Sequence, residues 1–317
     1  MQIALATRAP FHLEATVRVL QRRPGNRVDL WDQDRYLRVL VLAGLSVLVE
    51  VRNHGTIDVP DLRFAVLSGG LAPAALPSLR RTLRRILGLD VDPAPFQRRA
   101  ASEPALRATA TALRGMRPPR FAELFEAFAR VVPFQQMSLE AGVAITGRII
   151  ERFGEPMQHD GRRFHAFPTA RRIAHAQVPT LRACGLSTGK AETLRHLARV
   201  VDSGELDEDS IARMTTAAAL RRLKELPGIG PWSAALVLLR GCGRLDVFPP
   251  GDVGATRGLS ALLRISPGAS LERVIKRFGD LRGYLYFYSL GANLLKKGFI
   301  HSAPNELSRR RSASGGG

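Results

Sequence analysis

Two cysteines, Cys184 and Cys242, are all the thiols in 317 residues. They cannot build a disulfide framework, a four-thiolate zinc site or an iron–sulfur cluster without help from other ligands. The seven histidines are scattered and fall into no HExxH or CxxC-like spacing. Both thiols are therefore expected to be buried and inert. Long apolar runs are also missing. The longest near the start, Val39 to Val51, is broken by Gly44, Ser46 and Glu50, well short of the ~18 residues that a membrane span needs. Arg8, His12 and Glu14 break any apolar core of a leader peptide, so a cytoplasmic protein is expected.

Acid is scarce as well. There are 28 Asp+Glu against 47 Lys+Arg, a formal charge of +19 and a pI near 11.3. Such a surface favours nucleic acid or another polyanion. Hydrophobic residues make up 45% of the chain, enough for a packed core, and the length suits two domains.

The first hundred residues differ in texture from the rest. RVDLWD (27–32), RYLRVLVLAG (35–44) and LSVLVEVRN (45–53) are Val/Leu-rich with partial alternation, which predicts antiparallel strands. LPSLRRTLRRIL (76–87) places apolar residues at helical spacing with arginines between them, an amphipathic helix over that sheet. Beyond about 100–120 Ala/Leu/Arg segments of 3.6-residue period take over. Helices are expected over 120–134, 138–154, 190–204, 207–226, 232–241, 256–265 and 271–279, with no further strands. The fold class is thus mostly α: an all-helical domain at 101–303 preceded by a smaller strand-rich α+β domain at 1–100. The boundary lies near Pro93, Pro95 and Pro118-Pro119, and a disordered basic tail is expected at 304–317.

One stretch, LPGIGPWSAALVLLRGCGRLDVFPPGDVGA (226–255), carries the sharpest local signals. Gly228 and Gly230 permit a tight hairpin with bare backbone. Pro231 fits the first turn of the next helix, where its missing N–H costs nothing, and the amides of that turn suit an anion. An ordinary helix–helix corner would carry the same glycines. Pro249-Pro250-Gly251 then delivers Asp252 just before a helix, at an N-cap position. On a strongly basic chain this acid asks for a reason.

LPGIGPWSA matches the helix-hairpin-helix motif, and Asp252 stands twenty-two residues after Gly230. With the Gly/Pro-rich loop between them, the stretch resembles the helix-hairpin-helix–Gly/Pro–Asp superfamily of DNA glycosylases. The likeness is nearest to the DNA-3-methyladenine glycosylase II type. GMRPPRFAELFEAFARVVPFQQMSL (115–139), RRFHAFPTARRIAHA (162–176) and LRACGLSTGKAETLRHLA (181–198) resemble further segments of that family, over roughly 105–295. Two departures matter. Many relatives carry adjacent acids in the loop, whereas Gly251 precedes Asp252 here. Trp232 occupies the hairpin position that holds a nucleophilic lysine in bifunctional glycosylase/lyases, and Lys224 lies on the preceding helix.

The resemblance implies a monofunctional hydrolase of base excision repair that acts on alkylated purines flipped out of double-stranded DNA. Asp252 would be its catalytic carboxylate. Pro227, Gly228, Ile229, Gly230 and Ser233 would grip the phosphate, and carbonyls near Gly228 and Gly230 would suit a monovalent cation; no other cofactor is implied. Trp232, Tyr284, Tyr286 and Phe134 would wall the base pocket, because a cationic purine favours aromatic faces. Gln135 and Gln136 would both contact the DNA, Gln136 standing where the family places the wedge that fills the gap left by the base. A monomer is the default. Two alternatives stay open: a non-catalytic helix-hairpin-helix DNA-binding protein, and the same scaffold excising uracil, hypoxanthine or oxidised bases.

Overall fold

The computed structural model describes residues 2–23, 25–265 and 270–303. The tail expected to be disordered, 304–317, lies outside them. An antiparallel sheet forms first, from β1 (Ile3–Ala4), β2 (Leu30–Asp32), β3 (Arg35–Leu42), β4 (Leu45–Asn53) and β5 (Leu62–Ser68), in the order β1-β5-β4-β3-β2. Helix α1 (Leu13–Gln21) precedes β2 and packs against it. Ala43 and Gly44, both at positive φ, close the β3–β4 hairpin, the backbone that a two-residue turn of matching twist demands. Alternation sorts the side chains. Tyr36, Leu40, Val47, Val49, Val51 and Phe64 enter the main core, whereas Leu37, Val39 and Leu48 face the other way.

That second face is covered by a correction to the sequence reading. A hairpin of β6 (Pro156–His159) and β7 (Arg162–His165) lies within the stretch expected to be free of strands. Asp160 and Gly161, at φ 47° and 71°, form its turn, and Phe164 and Ala166 pack on Leu37, Val39 and Leu48. An Asp-Gly pair between short polar strands is a genuine hairpin signal; the strands themselves are too polar to show alternation.

Helices α2 (Leu76–Ile86), α3 (Ala94–Ser102) and α4 (Pro104–Ala112) lead into the rest of the chain. There follow α5 (Leu124–Ala129), α6 (Leu139–Phe153), α7 (Ala170–Ala174), α8 (Val178–Ala183), α9 (Thr188–Asp202), α10 (Glu208–Ala212), α11 (Thr216–Lys224), α12 (Pro231–Val237), α13 (Val253–Leu263), α14 (Leu271–Arg277) and α15 (Arg282–Lys296). Two of the long expected helices are broken. Residues 207–226 split because Thr215 caps a new helix through the Ala218 amide, and 120–134 ends in a 3₁₀ turn at Val132–Phe134. No helix among the described residues is long and apolar enough to cross a membrane. Burial pushes the Cys242 thiol up to about 11 and the Cys184 thiol upward, as inert thiols require.

The two parts share one continuous core and a closed ring of charge. Arg38 Nη1 donates to Asp29 Oδ1 at 2.6 Å and its Nη2 to Glu126 Oε2 at 2.5 Å. Arg130 completes the ring, with Nη2 donating to Asp29 Oδ2 at 2.8 Å and Nε to Glu126 Oε1 at 2.7 Å. Two carboxylates and two guanidiniums cancel, and all four are buried or nearly so. Burial alone would raise Asp29, but Arg38 and Arg130, with the Tyr36 hydroxyl donating at 2.8 Å, hold it down at about 2.

Candidate active site

The α11–α12 hairpin forms as its glycines dictate. Gly228 has φ +76°, and a Cβ there would strike Thr193 Oγ1 at 2.4 Å. Ile229 is buried as an anchor, while Pro227, Gly228 and Gly230 are exposed. The first-turn amides of α12 have no intrahelical acceptor. Ser233 is 3% exposed, tucked behind the turn.

Gln135 is bound to this hairpin. Its Nε2 donates to Gly228 O at 2.8 Å and to Ser233 Oγ at 2.9 Å. Lys190 Nζ donates in turn to Gln135 O at 2.6 Å. Sequence reasoning did not single out Lys190. Its clue was a cation in the first turn of α9, where the helix dipole disfavours one unless something else uses it. The neighbouring Gln136 is exposed and held at φ +53°, a left-handed backbone that costs energy for a residue other than glycine. Met137 beside it is 45% exposed.

Asp252 caps α13, with Oδ1 accepting the Ala255 amide at 2.8 Å. Its second oxygen does different work. Trp232 Nε1 donates to Asp252 Oδ2 at 3.0 Å. The indole thus comes from the start of the hairpin's second helix and orients the carboxylate presented by the Pro-Pro-Gly break. No amine occupies the place of the indole.

A single cleft of about 950 Å³ joins these parts, bordered by Gly228, Gly230, Trp232, Asp252, Gln135, Gln136 and Lys190. Phe134 and Tyr286 reach it from opposite sides of the sequence. Gly142 makes room for Phe134, because a Cβ there would lie 2.4 Å from Cδ1. Tyr284 is not brought to the cleft. It stacks on Phe96 at 4.4 Å with planes 13° apart, deep in the core. Residues two apart on a helix point ~200° away from one another, so α15 can offer the cleft Tyr286 or Tyr284, not both. The floor also holds three arginines that sequence reasoning passed over, Arg22, Arg130 and Arg240.

Residues 129–281 match the model of the HhH-GPD superfamily base excision DNA repair protein, and 2–123 match the AlkA N-terminal domain. The chain thus carries an HhH-GPD domain behind an AlkA N-terminal domain. It is 32% identical over 186 residues to DNA-3-methyladenine glycosylase 2 of Escherichia coli, covering 59% of the chain and 62% of that protein. It is 29% identical over 203 residues to the DNA-3-methyladenine glycosylase of Bacillus subtilis, covering 63% and 67%. The alignment thus takes in less than two thirds of the E. coli protein. Among solved structures, the 3-methyladenine DNA-glycosylase from Archaeoglobus fulgidus superposes with a TM-score of 0.74 at 28% identity, covering 92% of this chain and 97% of that one. An 8-oxoguanine glycosylase/lyase of Clostridium acetobutylicum shares the fold at 17% identity and a TM-score of 0.69.

Proposed function

We propose that the protein is a DNA glycosylase that hydrolyses the N-glycosidic bond of alkylated purines, in the manner that the names of its HhH-GPD relatives describe. The observation that carries this reading is the meeting of Asp252 and the Gly228–Gly230 hairpin at one cleft. A plain phosphate-binding module gains nothing from a carboxylate there.

As the base departs with the bonding electrons, positive charge grows on the deoxyribose. A carboxylate ~4 Å away at an effective dielectric near 20 contributes about 4 kcal/mol, roughly a thousandfold in rate. Asp252 also stands ready to orient the water whose oxygen bonds to the sugar carbon. Trp232 fixes which carboxylate oxygen faces the cleft. The exposed left-handed Gln136 is the group to enter the duplex where the base has left. The carbonyls of Gly228 and Gly230 each already accept one hydrogen bond, from Gln135 and from the Ala234 amide, so a monovalent cation there would use their second lone pairs.

Hydrolysis without lyase activity is part of the proposal. The chain has five lysines, Lys190, Lys224, Lys276, Lys296 and Lys297, and of these Lys190 alone borders the cleft. Its amine is tied to the Gln135 carbonyl, so Schiff-base chemistry is not expected. The test is to incubate duplexes bearing 3-methyladenine, 7-methylguanine, hypoxanthine or uracil and to score free base and abasic sites. Release of the methylated bases with intact strands is expected. No release of any base overturns the enzyme reading, and a borohydride-trapped adduct overturns the monofunctional one.

A further inference from the structure

Behind Phe134 the cleft runs on into a recess between the end of α1 and α6, and Arg240 belongs to both spaces. Arg240 is 2% exposed and sits on a π-helical turn, Leu238–Cys242, that continues α12. Such turns gather at functional sites because they redirect one side chain out of the regular helix. Its guanidinium lies over the Phe121 ring, 4.5 Å from the centroid. Among the described residues no carboxylate pairs with it, and its Nε and Nη2 are buried with no hydrogen-bond partner. The Tyr286 hydroxyl, on a residue that is 0% exposed on the adjoining wall, is likewise unpartnered.

Buried polar groups are almost always paired, and leaving one unpaired is costly. A guanidinium has five donors and no acceptor, so whatever satisfies Arg240 must bring acceptor atoms. Arg130, another cation of the floor, is already neutralised by Asp29 and Glu126. Burial lowers Arg240 to about 10, with Arg22 and Arg130 adding to the effect; it therefore stays charged at neutral pH. Arginine meets the carbonyl edge of a guanine-like base well.

We infer that Arg240 and Tyr286 read the acceptor edge of the flipped base, so that the pocket takes bases carrying an exocyclic carbonyl and discriminates for them through these two donors. The inference rests on the glycosylase reading above.

DNA treated with a methylating agent contains 7-methylguanine, which has the carbonyl, and 3-methyladenine, which has none. Both alkylated bases are cationic; at the edge concerned 7-methylguanine offers O6 with its N7 blocked by the methyl group, whereas 3-methyladenine offers N7 beside an amino group, so their ratio reports whether the two donors meet O6. The full-length wild-type protein, Arg240→Met and Tyr286→Phe are each incubated with this DNA, and both released bases are quantified from the same reaction. The ratio within one variant does not depend on how much of it is folded. The ratio of 7-methylguanine to 3-methyladenine is expected to fall about tenfold or more in Arg240→Met, a charged hydrogen bond lost, and severalfold in Tyr286→Phe, a neutral one. An unchanged or raised ratio in Arg240→Met overturns the inference; were that variant not to fold, the same result in Tyr286→Phe does so. A lowered ratio in Arg240→Met alone supports the arginine and removes the tyrosine. Absence of both bases with the wild type is a different failure, that of the glycosylase reading itself.

Discussion

Trp232 and Asp252 are joined by a hydrogen bond of 3.0 Å from the indole N–H to Oδ2, while the same carboxylate caps α13 through Oδ1. One acid is thereby held at both oxygens, by a ring from the hairpin side and by an amide from its own helix. The cap and the indole contact fall on different atoms of one side chain, which makes them separable.

Asp252→Asn keeps an oxygen for the Ala255 amide, and asparagine is as good an N-cap as aspartate. The affinity for duplex DNA is expected to stay close to wild type and the thermal midpoint to fall only modestly, because the asparagine amide keeps the cap but leaves Trp232 Nε1 without its acceptor. Base release is expected to fall by about a hundredfold or more, since the charge facing the sugar is gone. Single-turnover release beside a melting curve checks both halves. Retained turnover would return Asp252 to a purely structural role.

Trp232→Phe keeps an aromatic wall but removes the donor. Losing a hydrogen bond to a charged group costs about 1.5–3 kcal/mol, so the single-turnover rate should drop by tenfold or more. DNA affinity should hardly change, because the hairpin amides are untouched. A loss confined to affinity would show that the indole serves the duplex and not the acid.

The hairpin was legible because its constraints are local: two glycines, a proline and the Pro-Pro-Gly break dictate backbone whatever packs around them. The strands β3 and β4 were legible through alternation. Partnerships across the chain were not. Gln135 was expected to touch DNA, yet its amide spends itself on Gly228 and Ser233, 93 and 98 residues away. Tyr284 and Tyr286 look equivalent in GYLYFYSLG, and the phase of α15 against Phe96 decides between them. Arg38 sits at an inward-facing position of β3 where alternation calls for an apolar residue, and its partners Asp29 and Glu126 gave no sign of converging.

Gln135→Ala removes the clamp on the hairpin without removing charge. Duplex affinity is expected to weaken by about two- to tenfold, the range of a neutral hydrogen bond. The slope of affinity against salt should stay that of wild type, because the number of neutralised phosphates is the same. A titration at several salt concentrations separates the two effects; a shallower slope would mean that Gln135 holds a phosphate-binding cation in place.

Arg38→Met breaks the buried ring and leaves Asp29 and Glu126 with Arg130 as their one shared cation. Removing one partner of a buried ion pair costs about 3–5 kcal/mol, read as a lower urea midpoint at neutral pH. Acid should act on the same ring. Asp29 is held at about 2 in the folded protein, below its unfolded value near 3.9. Its stabilisation is therefore full above about pH 4 and is lost as pH falls through the folded value. Wild type should lose more urea resistance than Asp29→Asn between pH 6 and pH 3. Parallel losses would show that the ring does not carry the acid sensitivity.

The ring also fixes what can be cut from this protein. Two of its charges come from β3 and the bend before β2, two from α5 and its C-cap, and Arg130 lies in the floor of the cleft. A truncated chain beginning after the sheet would keep Asp252, Trp232 and the hairpin, yet expose Glu126 and Arg130 without Arg38 and Asp29. The amino-terminal module is thus part of the body that holds the cleft, not a detachable accessory, and grafting the helical half alone onto another protein would transplant the cleft with its floor missing.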